Sequence, residues 1–462
     1  MVTFEKDFVK LAVATIADSR DDYYKIREPL LLEEQAKTLF LEDWSKVLRS
    51  EVLRSVEAAG AFAREAAAFG AECMIIHIPI WADPELSLVL AQGFDAPILL
   101  LGNKRGVTSS VVGTLGSGGG LDQFGIPHVR VFGCDAPQQA QLRAFAAAAH
   151  ARAALRGGRM LRFGGRSLGI VTADPVEELW EKDFGLSVLD LDQREIVDTA
   201  QAMDPAEVER CRRWITDNAR VELDEVFTAK AFDKQVRSYL ATEALIEKYG
   251  GRFIGVKCQK ELSDGYVVQC LAHSLINGTQ SMNGKKPAVP FACEADANGA
   301  VTMYILNLLS GGKPATLLDI RELNGDAGVL TLANCGGTAV DLMAQEGARD
   351  LEGLTLCRHT FGAGCGGGCH AKLRQGRVTL ARLSVKNGRH SMTVIAGEVV
   401  DMPEEVRASI PYTFPCARIK TALDDSFLQS YDSNHVHLVY GDYVDSLREF
   451  CRMCGVACTV YQ

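Results

Sequence analysis

At 462 residues, with 47% hydrophobic and 23% charged residues, the chain has the composition of an ordinary globular protein and more length than one core usually supports. Its net charge of -10 argues against nucleic acid or an anionic membrane surface as the main partner. The N-terminal stretch carries Glu5, Lys6, Asp7 and Lys10 where a signal peptide needs an apolar run, and no stretch of about 18 apolar residues offers a membrane span. A cytoplasmic protein is expected, and its 14 cysteines then read as thiols rather than disulfides.

Taken in chain order, the first third alternates strand and helix signals. Apolar runs of strand length lie at 10–17, 72–80, 96–103 and 127–134, with helical patterning between them, the longest from about Pro29 to Gly70. Continuous apolar strands separated by helices predict a parallel sheet covered on both faces. The glycine-rich segment 113–122, "GTLGSGGGLD", lacks the spacing of a phosphate loop and is read as a turn. The basic, glycine-rich stretch 156–167 marks a boundary, after which a long helical pattern leads to strands at 252–258, 288–294 and 315–320. Beyond about residue 325 the character is β-rich, with Asn387-Gly388 as a two-residue hairpin turn and a closing strand, helix and strand. The expected fold class is α/β: two N-terminal doubly wound parallel-sheet domains (1–157 and 158–325) followed by a β-rich C-terminal domain (326–462).

The second parallel-sheet segment ends two strands on carboxylates, Glu294 in "PFACEAD" and Asp319 in "TLLDIRE". The intervening segment reads as a helix, so strand, helix and strand form one right-handed crossover, with both carboxylates at the carboxyl edge of a single sheet. Two anions so placed need a counter-charge. Arg321 is the conservative choice and a divalent cation the sharper one, since carboxylates plus an imidazole suit Mn²⁺ or Mg²⁺. His77, His150, His273 and His390 fall where structural histidines fall. His435 and His437 alternate on one strand, and the polar "DSN" lead-in puts His435, preceded by Asn434, at the strand's mouth. The metal-like cluster Cys357, Cys365, Cys369 and His370 lacks paired C-x2-C spacing, and Cys451 and Cys454 lie in a helical pattern; both are read as structural.

The segment "FACEADANGAVTMYILNLLSGGKPATLLDI" resembles the metal-site region of the L-fucose isomerase family, and "NHVHLVYGDY" resembles its C-terminal Asn-His motif. "KIREPLLLEEQAKTL", "IPIWADP" and "SSVVGTLGSGGGLDQFGIPHVRVFG" are similar to its first domain. The resemblance implies a metal-dependent aldose-ketose isomerase working through an enediolate, assembled as a homo-hexamer or homo-trimer. It implies Mn²⁺, with Mg²⁺ or Co²⁺ as substitutes, on Glu294, Asp319 and His435, with Glu294 and Asp319 also moving protons. It further implies Asn434 on a sugar hydroxyl and Trp81 completing a neighbouring subunit's pocket, with Arg20 and Arg27 near family arginines. Gln259, just past a strand end, joins the substrate residues on sheet geometry alone. Lys104, Arg105, Lys257 and Lys260 follow strand ends and are read first as a solvated charged rim, yet they are what would separate an anionic sugar, phosphorylated or sulfonated such as a 6-sulfo-hexose, from a neutral one. A non-catalytic sugar-binding protein of the same fold is the alternative from another class.

Overall fold

The computed structural model describes residues 9–344, 350–360, 366–409 and 415–462. These fall into two compact units, Met1–Ala154 with Asp445–Cys454, and Leu155–Val444 with Gly455–Gln462.

The first unit is built on a five-stranded, wholly parallel sheet in the order Ser45–Arg49, Val9–Thr15, Cys73–His77, Ile98–Gly102, His128–Phe132. That order, second-first-third-fourth-fifth, is doubly wound. Strand Ser45–Arg49 lies inside the stretch expected to be helical, because a single short sheet-edge strand with a polar start carries little periodicity. The segment read as a glycine turn is instead helix Ser110–Gln123. Close approach explains its glycines: a Cβ at Gly116 would stand 2.9 Å from Pro84 Cγ, and one at Gly118 would overlap the Arg130 guanidinium.

The second unit combines a parallel sheet and a barrel. The parallel sheet runs Phe291–Cys293, Phe253–Val256, Arg159–Phe163, Ser187–Leu191. Strand Arg159–Phe163 occupies the supposed boundary segment. The β-rich part closes on itself: Gly376–Lys386, His435–Tyr440, Ala315–Asn324, Val329–Ala333, Cys416–Thr421 and Arg389–Val400 pair in that order, and the last pairs back with the first. Closure leaves no exposed edge except where Ala457–Tyr461 adds alongside Arg389–Val400. Asn387 and Gly388, both at positive φ, form the expected two-residue turn between the longest strands.

Strand Ala315–Asn324 corrects the crossover reading. It pairs antiparallel with Val329–Ala333 and with His435–Tyr440, so Asp319 belongs to the barrel and not to Glu294's parallel sheet. Nor does Asp319 end its strand, which continues past a bulge between Ile320 and Glu322. The apolar run could not reveal this, because a strand buried on both sides reads the same in a parallel sheet or a barrel.

Fully buried imidazoles make an acid-side prediction. Burial pushes His77, His273 and His437 down, to about 3, about 4 and about 3. The unfolded chain takes up these protons near pH 6.5 and the folded one far lower, so stability is intact above about pH 6.5 and falls as pH drops toward 4. Urea midpoints should decline between pH 7 and pH 5; constant midpoints would contradict the neutral, buried assignment.

Candidate functional site

Glu294 follows directly on strand Phe291–Cys293, at the carboxyl edge of the parallel sheet. Glu294 and Ala295 both adopt left-handed backbone, at φ 59° and 51°. Each such residue costs about 1–3 kcal/mol and persists only where the surroundings enforce it. Here the Ala295 N–H donates to Val256 O at 3.0 Å and the Asp296 N–H to Cys293 O at 3.1 Å. Asp296 then caps helix Ala297–Leu309, its Oδ1 accepting from the Gly299 N–H at 2.8 Å.

The barrel presents the imidazole. Val436, Leu438 and Tyr440 join the barrel core, so His435 and His437 project from the opposite face. His437 meets the capped helix at Gly299, where a Cβ would fall 2.5 Å from its Nε2. His435 stands opposite Asp319 in the antiparallel register. Its Nδ1 lies 2.7 Å from Asp296 Oδ2, while its Nε2 lies 3.4 Å from Glu294 Oε2 and 3.5 Å from Asp319 Oδ1. The Asn434 side-chain amide donates to Asp319 Oδ1 at 3.5 Å, on the exposed side of the cluster. Glu294, Asp319, His435 and Asn434 thus come together from two sheets.

Behind them Asp296 Oδ2 also accepts from Arg382, and both side chains are fully buried. Arg382 donates a second time, to Thr172 O at 2.8 Å. Burial alone would raise the Asp296 carboxyl, but Arg382 and His435 outweigh it and hold it well below the usual range. Burial pushes Asp319 up to about 6, with Glu294 adding and His435 offsetting. For His435, burial opposes the proton, yet the hydrogen bond to Asp296 and the charges of Asp296 and Glu294 carry it up to about 10. The cluster therefore draws positive charge to the point between Glu294 and Asp319.

The donor set fits a hard divalent cation. Asp296, as carboxylate, accepts the Nδ1 proton of His435, so a cation that displaces the ring's other proton would meet the Nε2 lone pair, the arrangement that orients metal-ligating histidines. That Nε2 is buried and has no hydrogen-bond partner, aimed between two carboxylates. Among the described residues no three His, Cys, Asp or Glu side chains stand as a ready ligand cage. The separations say why: donors on one octahedral ion stand about 3 Å apart, so Glu294 and Asp319 need to draw in by a few tenths of an ångström.

Gln259 and Glu294 line one small cavity, together with Cys293, Cys335 and His359. Trp81 and Arg20 belong to the first unit. There Arg20 is held by both carboxylate oxygens of Asp18 and stacks on Tyr23 at 4.2 Å, while Arg27 lies 5.9 Å from the same ring. Of the four basic residues, two are neutralised: Arg105 bridges Glu33 and Glu34, and Lys257 pairs with Glu261 at 2.6 Å. Cys357 and Cys369 lie on paired strands, Thr355–Arg358 and Gly367–His370, where Cys369 is buried beside Ser274 Oγ at 3.0 Å. Cys365 lies outside the described residues. Sequence reasoning missed Asp296 and Arg382 as supports of His435. A lone arginine inside the apolar run "VTLARLSV" was the available signal, since an unpaired charge does not persist in a core.

Residues 332–462 match the model of the L-fucose isomerase C-terminal domain. Sulfoquinovose isomerase of Clostridium sp. (strain MSTE9) is 24% identical over 284 residues, 60% of this chain and 59% of that one. Sulfoquinovose isomerase of Alkalicoccus urumqiensis is 27% identical over 162 residues, 35% of each chain. L-fucose isomerase of Clostridium perfringens is 25% identical over 293 residues, 51% of this chain and 49% of that one. The matches thus span between about a third and three fifths of these relatives' length. A sugar ABC transporter subunit from Rhodobacter sphaeroides, a solved structure, aligns with a TM-score of 0.18 at 12% identity over 67% of this chain and 94% of its own, a likeness too low to bear on fold. No helix among the described residues is long and apolar enough to cross a membrane. The chain is thus similar to the L-fucose isomerases through its C-terminal residues 332–462 and, by a wider and weaker match, to the L-fucose and sulfoquinovose isomerases.

Proposed function

We propose that the protein is a metal-dependent aldose-ketose isomerase. The observation that carries this reading is the unpartnered Nε2 of buried His435 aimed between Glu294 and Asp319. Glu294, Asp319 and His435 would hold Mn²⁺, with Mg²⁺ or Co²⁺ as substitutes. A bound cation of this kind supplies Lewis-acid stabilisation to the charge that develops on neighbouring sugar oxygens.

The chain's own groups supply the rest. Asp296, fixed by Arg382, holds the His435 ring and its tautomer. Glu294 and Asp319 flank the reacting position, so a proton can be taken from C2 by one carboxylate while hydroxyl protons move through the other, a contribution of about 10²- to 10⁴-fold. Asn434, on the exposed side of Asp319, would take a sugar hydroxyl. A protein that only binds sugar has no use for two strained or desolvated carboxylates against one imidazole, which favours the enzyme.

Substrate charge is the open choice, and the sulfoquinovose isomerases among the relatives make a sulfonated hexose the first to try. Incubation in D₂O with neutral, phosphorylated and sulfonated aldoses, followed by NMR, tests the reading. Ketose formation with deuterium at the former C2 or C1 is expected for one class; no exchange with any class would remove the proposal. Chelation should abolish turnover, and Mn²⁺ should restore it better than Zn²⁺, because oxygen-rich six-coordinate sites suit hard cations. Full turnover in metal-free protein, checked by metal analysis, would contradict the metal's role. We further propose a homo-oligomer, hexamer or trimer, in which Trp81 completes a neighbour's pocket. A fully active monomer in sedimentation would exclude it.

A further inference from the structure

The long edge strands of this molecule are guarded by charge, with one exception. Among the described residues, four edge strands run to five residues. Ser45–Arg49 carries Lys46 and Arg49, His128–Phe132 carries Arg130, and Ser187–Leu191 carries Asp190. A charge on an edge is a common defence against pairing with another chain. The fourth strand, Ala457–Tyr461, reads Ala-Cys-Thr-Val-Tyr, with no charge and no proline.

Nothing else blunts that edge. Its parallel register with Ser391–Ile395 is unbroken over five residues, so no bulge turns it away. The rest of the neighbouring strand, Gly397–Val400, pairs with Cys416–Thr421, and among the described residues no strand pairs on the outer side of Ala457–Tyr461. Ala457, Cys458 and Thr459 are exposed in succession, so both faces are open beside the edge. The strand is nonetheless fixed in place: Tyr461 packs on the barrel core and meets the Phe427 ring edge-on at 5.4 Å. An extended segment already held this way loses little further entropy on pairing.

We propose that Ala457–Tyr461 pairs antiparallel with the same strand of a second copy of this chain, across a two-fold axis. Antiparallel pairing of identical strands is self-complementary: the outward N–H and C=O groups of each meet those of the other, and the contact closes at two copies. Closure is what an unguarded edge needs, since a pairing that left it open would template further chains. Thr459, at the strand's middle, then lies close to its own counterpart, and cross-strand threonine pairs are favourable. A strand of about 17 Å is too small to hold two monomers, because a stable interface buries about 800 Å² per partner. Three such contacts made together reinforce one another, so the pairing joins two trimers into a hexamer. That last step rests on the homo-oligomer proposed above, whereas the strand pairing itself does not.

The test places like charges where the copies meet. Sedimentation velocity compares wild type with Thr459→Lys, Thr459→Glu and their equimolar mixture. Wild type is expected as a hexamer, each variant at half that mass, and the mixture again at the wild-type mass, because Lys then faces Glu. Recovery on mixing also shows that both variants are folded. Hydrogen exchange of the 457–461 segment, read by mass spectrometry, decides on wild type even if a variant fails to fold. There the strand's amides should all be protected, whereas in either variant the alternate, outward ones should exchange at least about tenfold faster. Unprotected outward amides in wild type would overturn the pairing, as would variants of wild-type mass or a mixture that stays at half mass. A dimeric wild type with a protected strand would keep the pairing and remove the trimer; a trimeric wild type with an unprotected strand would do the reverse.

Discussion

His435→Ala is expected to lose bound metal and at least about 10²-fold of isomerase turnover while keeping its fold. The substitution removes the only nitrogen among the three proposed ligands, and the Nε2 it deletes has no other partner. Stability should suffer less than function, by about 1–3 kcal/mol, because only one charge-assisted hydrogen bond to Asp296 is lost. Asp296 keeps Arg382 and the Gly299 N–H, so no buried charge is stranded. His437→Ala provides the contrast. That ring bonds the Ala381 carbonyl at 3.2 Å and packs on Gly299, and it reaches neither Glu294 nor Asp319 by any contact comparable to those of His435. It should lower the melting temperature and leave metal content near wild type. Metal analysis and thermal melts on both variants decide between them; the reverse pattern would move the third ligand by two residues and take Asn434's role with it.

Glu294, Asp319 and His435 were named as candidate ligands from the chain, whereas the three-dimensional setting that gathers them was only partly legible. Glu294 announced itself as a carboxylate after an apolar strand, and it does sit at a parallel sheet's carboxyl edge. Asp319 announced itself in the same way and sits on the barrel instead. A short apolar run specifies burial, not the sheet that provides it, and strand partners are chosen by tertiary packing. The hairpin at Asn387-Gly388 was readable because turn chemistry is local. The helix at Ser110–Gln123 was not, since its glycines answer to neighbours distant in sequence, Pro84 and Arg130 among them. The same limit hid the role of Arg382: what makes it chemically distinctive is a partner from another segment.

Asp296→Ala is expected to be the most damaging single change near the site, and the reason is a stranded cation. Arg382 is 1% exposed, and its Nε has no hydrogen-bond partner, so Asp296 is its main compensation. Removing one partner of a buried pair costs about 3–5 kcal/mol. Loss of the cap on helix Ala297–Leu309 adds about 1 kcal/mol. Asp296→Asn separates charge from shape: its amide oxygen can still cap the helix, but it no longer neutralises Arg382 or fixes the His435 tautomer. Metal affinity should then fall about 10- to 100-fold, with the helix retained. Arg382→Met in the Asp296→Asn background should restore part of the stability, because an apolar side chain of similar volume removes the uncompensated charge. It should not restore metal affinity, which depends on the carboxylate behind His435. Urea unfolding of the two single variants and the double variant measures the coupling directly. Additive losses would show that Arg382 has another counter-charge and that Asp296 acts on His435 alone; recovery of stability without recovery of Mn²⁺ binding would assign the ion pair to the fold and the Asp296–His435 contact to the site.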